Sequence, residues 1–99
     1  MVSFVVRKNN VTMPFSIIIP LYNRPAEMDE LLASLCEQTD QQFEVIIVED
    51  GSSRKSDAIV AKYRERLTLI YFEKPNSGPG PSRNAGAARA RFDYLIFFD

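Results

Sequence analysis

Ninety-nine residues, 45% hydrophobic and 25% charged with a formal net charge of -1, have the composition of one globular domain at most, not of a disordered, collagenous or membrane chain. Twelve Lys and Arg against thirteen Asp and Glu leave no basic excess for a phosphate backbone, so nucleic acid is not expected as a partner. Cys36 stands alone, so no internal disulfide can form, and with no histidine the chain offers no Ser/His, Cys/His or His-metal chemistry.

Residues 1–14 read as a leader. Val2 to Val6 is a short apolar patch followed by Arg7 and Lys8. A secretory signal would place its charge before a longer apolar stretch, so secretion is not expected. No segment approaches the roughly 20 apolar residues of a membrane span.

Phe15 to Pro20 (FSIIIP) is a β-branched run of the kind buried on both faces of a sheet. Asn23-Arg24-Pro25 offers an Asn cap and a first-turn proline for a helix, and Met28, Leu31, Leu32 and Leu35 supply its apolar stripe. That helix is expected to end near Thr39-Asp40. Phe43 to Val48 is a second buried strand, closed by Glu49-Asp50-Gly51-Ser52-Ser53, whose serines are placed to cap the next helix. This helix is expected from about Lys55 to Arg66, with Ile59, Val60 and Tyr63 inward. Leu67 to Phe72 makes a third strand, and Asn76 to Pro81 is punctuated by Gly and Pro and expected to be irregular. Ser82 to Arg91 is an Ala- and Arg-rich third helix starting at Pro81 or Ser82, and Tyr94 to Phe98 is the fourth strand. An apolar run that stops at Asp99 with no polar tail suggests the front of a longer protein.

The order β-α-β-α-β-α-β demands a doubly wound α/β fold with a mostly parallel sheet, right-handed crossovers and helices on both faces. Ligands of such sheets sit beyond the carboxyl ends of the strands. That rule selects Leu21-Tyr22-Asn23, Glu49-Asp50 and Asp99. The first turn has neither the Gly-Lys-Ser/Thr of a Walker loop nor the three glycines of a dinucleotide fingerprint. Asp50 either accepts a hydrogen bond from a ligand N–H, such as the imide of uracil, or forms an Asx turn capping the helix behind it. Glu49 reads as a solvated or Arg-paired neighbour. Tyr22 and Arg24 can stack on the two faces of a planar base; taken singly, they read as turn packing and surface charge. Gly86 costs a helix about 1 kcal/mol relative to Ala and, with Ala85 and Ala88 also small, suggests close approach to the sheet. Asp99 is an oxygen ligand of the type Mg²⁺ and Mn²⁺ prefer, though one carboxylate makes no site.

In sequence, FSIIIPLYNRP, FEVIIVEDGSS, NSGPGPSRNAGAARA and YLIFFD resemble the nucleotide-binding half of a family-two glycosyltransferase with the Rossmann-like GT-A fold, over about Phe15 to Asp99. The resemblance implies that Pro20 and Tyr22 line a base pocket with Arg24 on its other face, and that Asp50 pairs with uracil. It implies that Arg83 lies near the base or diphosphate and that Asp99 is the first acid of an Asp-x-Asp metal motif. It further implies transfer of a sugar from a nucleotide donor, UDP-linked, to a saccharide, lipid or protein acceptor, with inversion and a divalent metal, Mn²⁺ or Mg²⁺. The general base and second metal acid are expected beyond residue 99, so these residues alone are expected to bind nucleotide weakly and transfer nothing. The chain is expected in the cytoplasm, at most peripheral to a membrane. The rivals are a non-catalytic nucleotide-binding or receiver-like regulatory domain, a nucleotidyltransferase, which would show a glycine-rich basic loop after the first strand, and a relative that kept the fold and lost the metal site.

Overall fold

The structure is a computed structural model that describes residues 13–98. Four strands, β1 (Phe15–Leu21), β2 (Phe43–Asp50), β3 (Leu69–Lys74) and β4 (Tyr94–Phe97), alternate with three helices, α1 (Pro25–Cys36), α2 (Asp57–Tyr63) and α3 (Pro79–Ala88). All pairings are parallel and the sheet order is β3-β2-β1-β4. The chain steps twice in one direction along the sheet and then crosses back to the far side of β1. Right-handed crossovers then place the helix of the returning step on the opposite face. Accordingly α1 and α2 cover one face and α3 the other, giving the doubly wound α/β architecture.

The period of two along a strand divides the core between the faces. Ile17, Ile19, Val45 and Ile47 join Met28, Leu31, Leu32 and Leu35 of α1 and Val60 and Tyr63 of α2 in the larger cluster. Ile18, Ile46 and Val48 form the smaller one beneath α3. There Gly86 is required by packing: a Cβ on it would lie 2.5 Å from Ile18 Cγ2 and 3.1 Å from Val48 Cγ2.

Local chemistry moves several element boundaries. The amide of Gln41 donates to the carbonyls of Cys36 at 3.1 Å and Gln38 at 2.9 Å, closing α1 before Thr39. α2 starts at Asp57 and not at Lys55: Ser56 is its N-cap, with a non-helical backbone, and its N–H is bound to Glu49. β3 begins two residues late, and Leu67 is buried in the loop before it. The segment expected to be irregular up to Pro81 gives α3 its first turn: Pro79 and Pro81 fit there because first-turn N–H groups have no partner within the helix. α3 stops at Ala88, short of the expected Arg91, whose backbone N–H and Nε are bonded to the buried carboxylate of Glu44 at 2.7 and 3.1 Å. Ser16 Oγ donates to the same carboxylate at 2.6 Å. No helix among the described residues is long and apolar enough to cross a membrane.

Candidate functional site

The carboxyl ends of β1 and β2 are joined by their loops. Asn23 adopts a left-handed backbone, φ 53°, which Asn tolerates better than most residues. It does not cap α1: its Oδ1 accepts the backbone N–H of Arg54 at 2.8 Å and the hydroxyl of Ser53 at 3.3 Å. Its own N–H donates to Ser52 Oγ at 2.8 Å, and its carbonyl accepts from the Arg54 guanidinium at 3.1 Å. The loop carrying Tyr22 and Arg24 is thereby fixed to the loop after β2.

Glu49 and Asp50 are adjacent and therefore point to opposite faces. Glu49 is fully buried on the α1/α2 side. It accepts the hydroxyl of Ser52, the N–H of Ser56 at 2.8 Å and the phenol of Tyr71 at 2.8 Å. This corrects the reading of Glu49 as solvated or Arg-paired, and of Ser52 and Ser53 as caps of α2, which has no side-chain cap. Burial, and then the bond to Glu49, pushes the Tyr71 phenol well above its ordinary range, so it remains a donor.

Asp50 turns to the α3 side. Its Oδ1 accepts from Lys74 Nζ at 3.0 Å and from the N–H of Ser77 at 2.9 Å; its Oδ2 accepts the N–H of Gly78 at 2.9 Å. Its carbonyl accepts from the Asn76 amide at 2.9 Å. The carboxylate thus organises the segment leading into α3, not the helix behind it, as an Asx turn would. Gly51 lets that segment approach: at φ 72° a Cβ would lie 2.6 Å from the Asn76 backbone nitrogen. Burial alone would raise the Asp50 carboxyl, but the Lys74 ammonium and the Ser77 and Gly78 amides outweigh it and hold the group below its ordinary value. A carboxylate offers about four acceptor positions, so with three filled one remains, on Oδ2.

Pro20, Leu21, Tyr22, Arg24, Asp50, Pro79 and Arg83 line one cleft of about 520 Å³ at this end of the sheet. The five residues singled out by sequence as donor-binding, Pro20, Tyr22, Arg24, Asp50 and Arg83, all stand around it. Tyr22 lines the cleft and is 52% exposed. Arg24 lies at the rim, its guanidinium 3.0 Å from Glu27. The combination of an aromatic face, apolar walls, one open acceptor and two guanidinium groups matches a planar base bearing an N–H and an attached anion. Asp99 lies outside the described residues. Among those described, no three His, Cys, Asp or Glu are grouped to hold a metal ion.

Sequence reading missed the contributions of Glu49, Asn23 and Lys74. For Glu49 the signal was present: in a strand buried on both faces, two successive acids cannot both face the cleft.

Residues 16–99 match the model of a family described as glycosyl transferase family 2. An uncharacterized glycosyltransferase of Haemophilus influenzae is 45% identical over 84 residues, covering 85% of this chain and 28% of the relative. The poly(ribitol-phosphate) β-N-acetylglucosaminyltransferase TarS of Staphylococcus aureus is 38% identical over 91 residues, covering 88% of this chain and 16% of the relative. The crystal structure of residues 1–349 of S. aureus TarS in complex with UDP-GlcNAc superposes with a TM-score of 0.82 at 40% identity, over 88% of this chain and 26% of that one. The chain thus spans between about a sixth and little more than a quarter of the length of these proteins.

Proposed function

The chain belongs to glycosyl transferase family 2, and from that membership we propose that it forms the donor-binding part of an inverting glycosyltransferase that uses a UDP-sugar. The observation that carries the donor assignment is the open acceptor on Asp50 Oδ2 in a cleft lined by Tyr22, Arg24 and Arg83. Uracil presents an imide N–H flanked by two carbonyls, and an ionised carboxylate with one vacant acceptor position is its complement. Pro20 and Tyr22 would line the base pocket with Arg24 on its other face, and Arg83 would lie near the base or the diphosphate. UDP-GlcNAc bound to TarS supports the same donor class.

In the proposed reaction the bond from the anomeric carbon to the diphosphate oxygen breaks as the acceptor hydroxyl attacks from the opposite face. The acceptor's proton passes to a base outside these residues. This chain's residues hold the nucleotide so that the anomeric carbon projects out of the cleft. The proposal includes Asp99 as a ligand for a divalent cation, Mn²⁺ or Mg²⁺, whose chemistry would be neutralisation of the departing diphosphate. Of the rival readings, the receiver domain needs two carboxylates converging on one phosphoacceptor site, whereas Glu49 and Asp50 face opposite sides of the sheet.

The test is a titration of the chain with UDP, followed by amide chemical shifts, with Asp50→Ala alongside. Binding is expected to be weak in the parent and at least tenfold weaker in Asp50→Ala, the scale of a hydrogen bond to a charged group. Equal affinity in the two proteins would remove the uracil assignment, and sugar transfer by the 99 residues alone would show the catalytic part to lie within them.

A further inference from the structure

Lys74 is the cross-strand neighbour of Asp50 on β3 and lies on the same face of the sheet. Its ammonium is committed in three directions: to Asp50 Oδ1 at 3.0 Å, to the carbonyl of Pro75 at 2.8 Å and to the hydroxyl of Ser77. An ammonium has three protons, so none is left for a ligand. The side chain is only 18% exposed, and Lys74 is not among the described residues that line the cleft. It therefore holds Asp50 through Oδ1 and leaves one acceptor position of Oδ2 unfilled by the protein.

We propose that Lys74 is a positioning residue that sets base selectivity: by taking Oδ1 and fastening residues 75–78, it leaves Oδ2 of Asp50 as a single, fixed acceptor in the cleft. This inference rests on the reading of the cleft as a nucleotide pocket and adds the device that makes the pocket discriminate. A fixed anionic acceptor favours a base with an N–H at the edge facing it, as in uracil. It disfavours cytosine, which presents a bare ring nitrogen there, so two acceptors would oppose each other. Without the ammonium, burial would favour the neutral acid. A protonated Asp50 can donate, and could then satisfy the cytosine nitrogen. The amides of Ser77 and Gly78 would lose the segment anchor that aims them.

The experiment compares UDP and CDP binding to the whole chain by amide chemical shifts, for the parent and for Lys74→Met, Lys74→Gln and Lys74→Arg. In the parent, UDP is expected to bind about tenfold more tightly than CDP. In Lys74→Met and Lys74→Gln that ratio is expected to fall by at least about fivefold, and in Lys74→Arg, which keeps the charge, to recover most of it. Lys74→Gln retains a hydrogen-bond donor at the strand end, so it reports on charge if the Met variant fails to fold. A purely structural lysine would weaken both nucleotides alike, and an unchanged UDP/CDP ratio in folded Lys74→Gln overturns the proposal. If the parent shows selectivity that Asp50→Asn abolishes while the Lys74 variants keep it, only the lysine's role fails. If the parent does not bind UDP, the pocket reading fails and takes this inference with it.

Discussion

The two faces of β2 end in neighbouring carboxylates that meet different fates. On the α1/α2 face the large apolar cluster is topped by Glu49, sealed from solvent and supplied by donors from its own loop, from the start of α2 and from β3. On the α3 face three buried side chains underlie a helix held close by Gly86, and Asp50 above them is bound by one lysine and two backbone amides, with an acceptor position left over. The strand's period of two creates this division. One acid is spent wholly on the fold; the other shapes its loop, lines the cleft and keeps one acceptor position that no protein donor fills.

If that division holds, removing Glu49 should have the largest effect on stability of any change near the cleft. Glu49→Ala leaves the Ser52 hydroxyl, the Ser56 N–H and the Tyr71 phenol without their acceptor. At roughly 1–3 kcal/mol for each buried donor so orphaned, the expected loss is about 3 kcal/mol or more by urea denaturation. That is a large share of a small domain's stability. A loss under about 1 kcal/mol would make Glu49 a peripheral acid and dissolve the contrast with Asp50.

How far the sequence could have shown this depends on the kind of information each feature needs. Strand and helix order was legible because FSIIIP, FEVIIV and the Met28-Leu31-Leu32-Leu35 stripe carry their own periodicity. The residues around the cleft were legible as positions, since a parallel sheet brings strand ends together. Their partners were not. Asn23 looks like a helix cap, yet its oxygen is claimed by Arg54 and Ser53 from a loop about thirty residues away. Pro79 and Pro81 look like breakers, yet the first helical turn is the one place where both fit. Lys74 gave no signal, because its importance lies in facing Asp50 across strands 24 residues apart in sequence.

The α3 face can be challenged through its closest contact. Gly86→Ala would set a Cβ 2.5 Å from Ile18 Cγ2, a stiff β-branched side chain that is fully buried. Overpacking of this kind costs about 1–3 kcal/mol, offset by up to about 1 kcal/mol from the better helix propensity of Ala, so a net loss of about 1–2 kcal/mol is expected. Because Pro79 and Arg83 ride on α3, lifting the helix should also weaken UDP binding. A variant as stable as the parent, with unaltered binding, would mean that α3 is not seated by this contact.

The smallest expected effect concerns acid, and again separates the faces. Glu44 shares the α3 face of β2 with Asp50 but lies at the opposite end of the sheet. Burial opposes its charge, yet the N–H of Arg91, the hydroxyl of Ser16 and the Arg91 guanidinium together hold its carboxyl below the ordinary 4.5. Asp29, on the other side of the sheet, is also lowered, by the Tyr63 phenol first and then by Lys62. Their surroundings differ: the Glu44 side chain is wholly buried, whereas that of Asp29 is 38% exposed and screened by water. A carboxyl depressed in the fold contributes its stability in full above the unfolded value. As pH falls the unfolded chain takes up the proton first, and the contribution drains away down through the folded value. The stability lost between about pH 6 and about pH 3 should therefore shrink in Glu44→Gln, and shrink less in Asp29→Asn, when urea midpoints are compared at the two pH values. An equal change in the two variants would show that burial on the α3 face does not decide which carboxylate carries the acid response.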